Sequence, residues 1–387
     1  LTLGVLRRQL WLDDLIDRLS KKKTLDIEVR IALRMGLYQI GFLDRVPDYS
    51  AINESVNLVE ASGKRSAKGF VNAILRRAAR GLPEQVESDR LSSISLATSH
   101  PKWLIEKWTR DFGASQASVI AEANNRIPPI AFRATALSTD AFGMAAGNSA
   151  SSGFVKGCFI RESVDAELLE LASRNELYFQ DEASQIAANA VDLRLASRVL
   201  DVCAAPGSKT TLIANNALGQ KSDLFIVAGD LHAARVRILK DNCEDQGVPF
   251  VRIVQYDAEY QLPFADQGFG SVLIDAPCSG TGTIRHNPEI RYRIKPEDLA
   301  ELPKKQLAIL KNASYLVERG GSLLYSTCSL EREENEEVCE AFLNSADGFR
   351  LVAPKVDNRL LTADGYARTF PSRDNMDGFF MAAFVRK

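Results

Sequence analysis

The sequence predicts an α/β chain: an all-helical module, then a small connecting segment, then a parallel sheet with helices on both faces. Three observations predict this. From about residue 180 onward, short apolar runs alternate with helical patterns. Residues 1–90 repeat apolar positions at three- and four-residue spacing. Four of the apolar runs carry an acid where such sheets bind ligands, Asp201 within the first and then Asp230, Asp257 and Asp275.

The 387 residues suggest two or three domains at ~150 residues each. A composition of 45% hydrophobic and 25% charged residues excludes a disordered tail protein, a collagen-like repeat and a small disulfide scaffold. No run approaches ~18 consecutive apolar residues, so no membrane span is expected. The chain begins at Leu1, without a basic-then-apolar leader, and we expect a missing segment before it, not a signal peptide. Six cysteines, at 158, 203, 243, 278, 328 and 339, form no close pair; reduced thiols and a cytoplasmic location are expected.

In the first module, residues 1–90, Leu33, Leu37, Ile40 and Leu43 share one helical face, and Phe70, Val71, Ile74, Leu75 and Ala78 another. Breaks fall at Pro47, at Ser62-Gly63 and at Gly81-Leu82-Pro83. These residues carry 16 Lys/Arg against 12 Asp/Glu, leaving 32 against 38 in the remainder. The basic excess concentrates in Lys64, Arg65, Lys68, Arg76, Arg77 and Arg80, with a helix expected over 67–80. Such a patch is either a phosphate-binding surface or a solvated helix face. Residues 91–178 read as a connector or small α/β subdomain, with helices over 102–112 and 114–124 and a surface loop over Gly143–Gly157.

The sheet occupies residues 179–387. Strands are expected at Arg198–Val202, Leu224–Ala228, Val251–Val254, Ser271–Ile274 and Ser322–Tyr325, and helices at Thr210–Ala217, Ala233–Gln246, Glu297–Val317 and Glu331–Leu343. The first strand runs into Cys203-Ala204-Ala205-Pro206-Gly207-Ser208-Lys209, a turn of small residues that lets backbone approach a ligand. It is not a P-loop, because Ser208 precedes Lys209 and Cys203 stands where the earlier glycine belongs. A G-x-G-x-x-G fingerprint is also absent. Asp230 can accept both hydroxyls of a ribose, and Asp257 can meet an adenine edge. Each alone could be a helix cap. Together, with no phosphate-binding pattern, they suit S-adenosylmethionine better than a nucleotide.

The fourth and fifth strands end in Asp275-Ala-Pro-Cys278-Ser and Ser-Thr-Cys328-Ser. A lone strand-end cysteine is commonly an inert thiol. Structural zinc requires paired C-x-x-C or clustered histidines, and His100, His232 and His286 stand apart, so no metal is expected.

Cys-Ala-Ala-Pro-Gly-x-Lys, Asp-Ala-Pro-Cys-Ser and Ser-Thr-Cys-Ser, in this order, resemble the RNA cytosine-5 methyltransferases. With a helical module resembling the antitermination factor NusB in front, the chain is similar to the bacterial 16S ribosomal RNA cytosine-5 methyltransferase B family. Ser208 departs from that pattern, replacing the usual glycine. The resemblance implies a Rossmann-like methyltransferase domain, S-adenosylmethionine as cofactor, and 16S ribosomal RNA or a small-subunit assembly particle as partner. It implies that Cys328 attacks cytosine C6, that Cys278 assists release, that Asp275 holds the N3/N4 edge and that Lys209 reaches the base. A base entering this site must leave any stack. Arg285, His286, Arg291 and Arg293 of the segment 283–293 then suit phosphate contacts beside the pocket, with Tyr292 for stacking. Alternatives are a non-catalytic RNA-binding or antitermination-type factor, a cytosine-5 methyltransferase acting on another RNA, and a DNA cytosine methyltransferase. The DNA enzymes use the Pro-Cys cysteine and have no equivalent of Thr327-Cys328.

Overall fold

The structure, a computed structural model, describes residues 1–21, 24–82, 90–193, 196–219 and 224–387. The expected break at Pro83 lies outside the described residues. By its internal contacts the chain divides into two compact units, Leu1–Arg126 with His286–Arg293, and Ile127–Arg285 with Ile294–Lys387.

The first unit is helical: α1 (Thr2–Arg7), α2 (Gln9–Ser20), α3 (Ile27–Phe42), α4 (Asp48–Ala61), α5 (Lys68–Ala78), α6 (Arg90–Thr98), α7 (Lys102–Phe112) and α8 (Ala114–Ala123). Pro47 precedes α4, where its missing N–H costs nothing. Leu12, Leu15, Ile16, Leu33, Leu37, Val71 and Leu75 are removed from water in one cluster. Helix α5 buries Val71, Ile74, Leu75 and Ala78 and turns Arg76 and Arg77 outward. Residues 90–126, grouped by the sequence reading with the connector, fold within this unit as α6–α8.

The second unit opens with β1 (Ile130–Ala134), α9 (Asp140–Gly147), β2 (Ala150–Ser151), β3 (Cys158–Arg161), α10 (Ala166–Ser173) and β4 (Leu177–Phe179). The four strands form an antiparallel sheet in the order β2-β3-β1-β4. The surface loop expected over Gly143–Gly157 is corrected over 143–147, which close α9; residues 148–157, apart from the two-residue β2, are turns and bends that are mostly exposed or half-buried. Thr139 caps α9 by accepting from Ala141 N, and Ala145 and Ala146 are buried beside Phe132 and Phe142. Ala145 and Ala146 serve close packing, and the glycines of the stretch are exposed.

The chain continues through α11 (Glu182–Asn189), β5 (Arg198–Asp201), α12 (Ser208–Gly219), β6 (Phe225–Asp230), α13 (Ala233–Asp245), β7 (Arg252–Gln255) and β8 (Phe269–Asp275). Next is α14 (Ile290–Arg293), which belongs to the helical unit. Then come α15 (Asp298–Ser314), β9 (Val317–Thr327), α16 (Glu336–Ser345), β10 (Phe349–Val352), β11 (Ala367–Arg368), α17 (Pro371–Asp374) and β12 (Phe380–Arg386). The large sheet runs β10-β12-β9-β8-β5-β6-β7, with β11 on β12. Its β7-to-β9 half is parallel, as expected, and β10, β11 and β12 are antiparallel. Alternate residues serve opposite faces: Val199, Leu273 and Leu324 join one core, and Leu200, Val272, Ile274 and Tyr325 the other. Among the described residues no helix is long and apolar enough to cross a membrane.

Candidate active site

The β8–β9 ladder is the frame of the site. Asp275 pairs in register with Ser326, so the two strands end at one level. Two and three residues further on, Cys328 and Cys278 bring their Sγ atoms to 3.4 Å. All six cysteines are free thiols. The hydrogen bond to Cys328, reinforced by burial, holds the Cys278 thiol well above the ordinary cysteine range.

Lys209, in the first turn of α12, is buried and places Nζ 2.6 Å from Asp275 Oδ2 and 5.1 Å from the ring centre of Phe379. Burial opposes its charge, but Asp275 outweighs that, and its pKa lies above the ordinary lysine value. Ser326 Oγ donates to the other Asp275 oxygen at 2.9 Å.

The turn 203–209 runs between β5 and α12 with a cis Ala205-Pro206 bond. Gly207 sits at φ +109 with Leu239 Cδ1 only 2.9 Å from where a Cβ would stand, so both conformation and space demand glycine. Asp230, at the end of β6, accepts from Ala205 N at 3.2 Å and lies 3.3 Å from Arg235. Arg235 also donates to Ala205 O, and Asn242 to Pro206 O. Asp201 is fully buried; that burial, eased by a bond from Thr210 Oγ1, raises its pKa to about 7, and its Oδ1 has no partner. A cleft of about 390 Å³ joins Cys203, Asp230, Asp257, Asp275, Cys278 and Cys328. The volume lies within the usual range for a small-molecule site.

Two residues assigned to RNA contact are corrected. Arg285 is 3% exposed and ion-paired with Asp377 at 2.8 Å and Asp181 at 3.0 Å. Arg291, in the helical unit, is fully buried and donates to Thr98 O, Asn124 O and Asn125 Oδ1. Neither guanidinium can meet a phosphate. Tyr292, offered for stacking, is half-buried with its hydroxyl 2.8 Å from Leu6 O. His286 is half-buried and Arg293 exposed. In the basic run, Lys64 pairs with Asp26 at 2.8 Å, and Arg65 and Lys68 pair with Glu60 at 3.0 and 2.5 Å. Arg76, Arg77 and Arg80 are exposed.

Sequence reasoning missed the residues that hold the thiol loops. Gln306 Nε2 donates to Pro277 O and to Glu334 Oε1, both at 2.9 Å. Asn335 accepts from Thr327 Oγ1 and donates to Ser329 O, gripping both sides of Cys328. Gly282 N donates to Cys328 O at 2.9 Å, and a Cβ on Gly282 would overlap the Gly378 carbonyl. The Asp377-Gly378-Phe379-Phe380 segment thus packs against the loop that follows Cys278. Arg133 of β1 was missed as well; it donates to Ser208 O at the start of α12. Gln306 and Asn335 lie in charged runs, which give no signal of burial.

Comparison with known proteins follows this geometry. Residues 188–385 match the family model described as 16S rRNA methyltransferase RsmB/F. Residues 1–80 match the NusB family, and residues 100–142 a ferredoxin-like domain of RsmF/B-like methyltransferases. The probable ribosomal RNA small subunit methyltransferase B of Bacillus subtilis (strain 168) is 31% identical over 404 residues, covering 100% of this chain and 89% of that protein. The ribosomal RNA small subunit methyltransferase B of Pseudomonas putida (strain KT2440) is 33% identical over 396 residues, with 100% and 89% covered. The crystal structure of PH0851 superposes with a TM-score of 0.85 at 26% identity, covering 99% of this chain and 88% of that one.

Proposed function

The chain belongs to the 16S rRNA methyltransferase RsmB/F family, and from that premise we propose that it methylates C5 of a cytosine in 16S ribosomal RNA through a covalent bond from Cys328 to C6. The observation that carries the reading is the contact of two thiols at 3.4 Å in a cleft shared with three strand-end acids.

The residues fit S-adenosylmethionine: the 203–209 turn is a close backbone cradle, and Asp230 and Asp257 offer carboxylates for ribose and adenine. When bound, the cofactor supplies the sulfonium methyl that C5 takes. Cytosine C5 is too weak a nucleophile unaided. The Cys328 thiolate adds to C6, forming a carbon–sulfur bond and sending the C5–C6 π pair onto C5. After methylation the C5 proton leaves, its electrons re-form the double bond, and the Cys328–C6 bond breaks with its pair returning to sulfur. Cys278, in contact with that sulfur, assists the departure. Asp275 takes the N3/N4 edge of the base, and Lys209, paired with Asp275, offsets developing charge. The charges of Lys209 and Cys328 act on each other across the site. The helical module 1–90, the middle segment 91–178 and the sheet domain 179–387 divide RNA binding, connection and chemistry among them, with Arg76, Arg77 and Arg80 toward phosphate. The setting is cytoplasmic, where thiols stay reduced.

The test places each cysteine variant with 16S ribosomal RNA and cofactor on a denaturing gel. Cys278→Ala should accumulate a covalent protein–RNA band, and Cys328→Ala should show none. The reverse pattern overturns the thiol roles. Neither adduct nor methyl transfer from the unaltered protein overturns the reaction.

A further inference from the structure

We propose that Glu334 is the positioning residue that divides the work of the two thiols: its carboxylate locks the Cys278 and Cys328 loops together and keeps the proton on Cys278. The proposal rests on Cys328 being the nucleophile.

Glu334 is fully buried, and among the described residues it has no ion pair. A buried carboxylate without a cation is costly unless donors surround it. Here they do. Ser279 N at 2.8 Å and Gln306 Nε2 at 2.9 Å donate to Oε1, and the hydroxyls of Ser279 and Ser329 donate to Oε2. Ser279 directly follows Cys278, and Ser329 directly follows Cys328. One side chain therefore bridges the nearest neighbours of both thiols, across 50 residues of sequence. Two N–H groups meet Oε1 and two hydroxyls meet Oε2, so both carboxylate oxygens are fully occupied. Tyr325 OH donates to Glu334 O at 2.7 Å and fixes the backbone beneath.

The same charge makes the two sulfurs unequal. Cys328, Glu334 and Asp275 face Cys278, Tyr325 lies behind it, and Lys305 lines the same cleft. The hydrogen bond to Cys328 and burial hold the Cys278 thiol up, and the carboxylates of Glu334 and Asp275 add to this. Lys209 bears on Cys328 with the opposite sign. Cys278 is therefore the sulfur that keeps its proton and offers it as a hydrogen bond to the Cys328 sulfur 3.4 Å away.

Iodoacetamide alkylation tests this on the full chain, without RNA or cofactor, with each cysteine quantified by mass spectrometry from pH 6 to 10. In the unaltered protein Cys328 should react first and Cys278 slowly. Glu334→Gln should accelerate Cys278 at pH 7 about tenfold, the effect of roughly one pKa unit, and change Cys328 far less. Ser279→Ala, which leaves the carboxylate in place, should keep the slow Cys278. Profiles of Glu334→Gln that overlay the unaltered protein, or equal acceleration of both thiols, overturn the proposal. Should Glu334→Gln fail to fold, Glu334→Asp keeps the charge but shortens the reach. Cys278 should stay slow in Glu334→Asp, and Glu334→Asp combined with Cys278→Ala should lose the RNA adduct that Cys278→Ala alone accumulates; adduct formation by the double variant at the rate of Cys278→Ala overturns the clamp. Normal alkylation profiles with no adduct from Cys278→Ala and no methyl transfer from the unaltered protein would instead be a failure of the proposed reaction.

Discussion

Replacing Arg133 by methionine tests whether the small sheet supports the cofactor turn. Arg133 is 2% exposed, and among the described residues no carboxylate pairs with it. Its guanidinium donates to Gln180 Oε1 at 2.6 Å, Thr211 Oγ1 at 2.9 Å, Gln246 Oε1 at 3.0 Å and the carbonyls of Ala134 and Ser208 at 3.1 Å. It also lies 5.1 Å from the Tyr178 ring centre. Burial lowers its pKa to about 10, so it is still charged at neutral pH. Methionine keeps much of the stem and removes every donor. The oxygens of Gln180 and Gln246 then lose their guanidinium donor, at about 1–3 kcal/mol each. Relief from burying an unpaired cation returns part of this, leaving a net loss of about 2–4 kcal/mol. For a unit of this size that lowers Tm by about 5–15 °C. Because Ser208 and Thr211 begin the helix that carries Lys209, affinity for S-adenosylmethionine should also fall several-fold. Arg133→Lys should recover little, since one ammonium cannot reach acceptors spread around a planar fork. Thermal unfolding by circular dichroism and cofactor titration by calorimetry measure both effects. A Tm within about 2 °C of the unaltered protein, with unchanged affinity, refutes the reasoning.

Two further predictions concern other charges. Asp201 has a folded pKa of about 7 against an ordinary 3.8, so its stabilising contribution is present below about pH 4 and is lost as pH rises through 7. Asp201→Asn, which cannot ionise, should gain stability relative to the unaltered protein across that window, by at most about 4 kcal/mol. Urea midpoints at pH 4.5 and 8 that differ by the same amount in both proteins refute this. Replacing Arg76, Arg77 and Arg80 together by alanine should weaken RNA binding and reduce the slope of log K against log salt by about 2, at ~0.7 per phosphate on a single strand. Lys64, Arg65 and Lys68, already paired with acids, should contribute less. Filter-binding titrations at several salt concentrations check both, and an unchanged slope sinks the phosphate reading.

The sheet half was legible because β5, β6 and β8 are buried along most of their length and end in Asp201, Asp230 and Asp275. β5 to β9 therefore read as apolar runs with chemistry at their tips, and the turn 203–209 and both thiols stand at those tips. Arg285 was not legible. It looks like one more cation in a charged loop, and its burial is set by Asp377 and Asp181, 92 and 104 residues away. Glu334 fails for a similar reason, lying in the run Glu331-Arg-Glu-Glu-Asn335, which reads as an exposed helix start. Residues 143–147 misled in the opposite sense, since small residues suit a loop and a packed helix equally.

The membership of His286–Arg293 in the helical unit, with residues on either side in the other, bears on modularity. The polypeptide changes unit three times, at 126/127, 285/286 and 293/294, so no single cut separates the two. A fragment starting at Ile127 would keep Arg291 and Tyr292 but forfeit Leu6, Thr98, Ser99 and Asn124, whose carbonyls absorb their polar groups. That stranded segment begins eight residues after Cys278. The halves are thus poor cassettes for gene shuffling: a lineage that shed the helical unit would also have to rebuild the stretch of chain leading away from its catalytic loop.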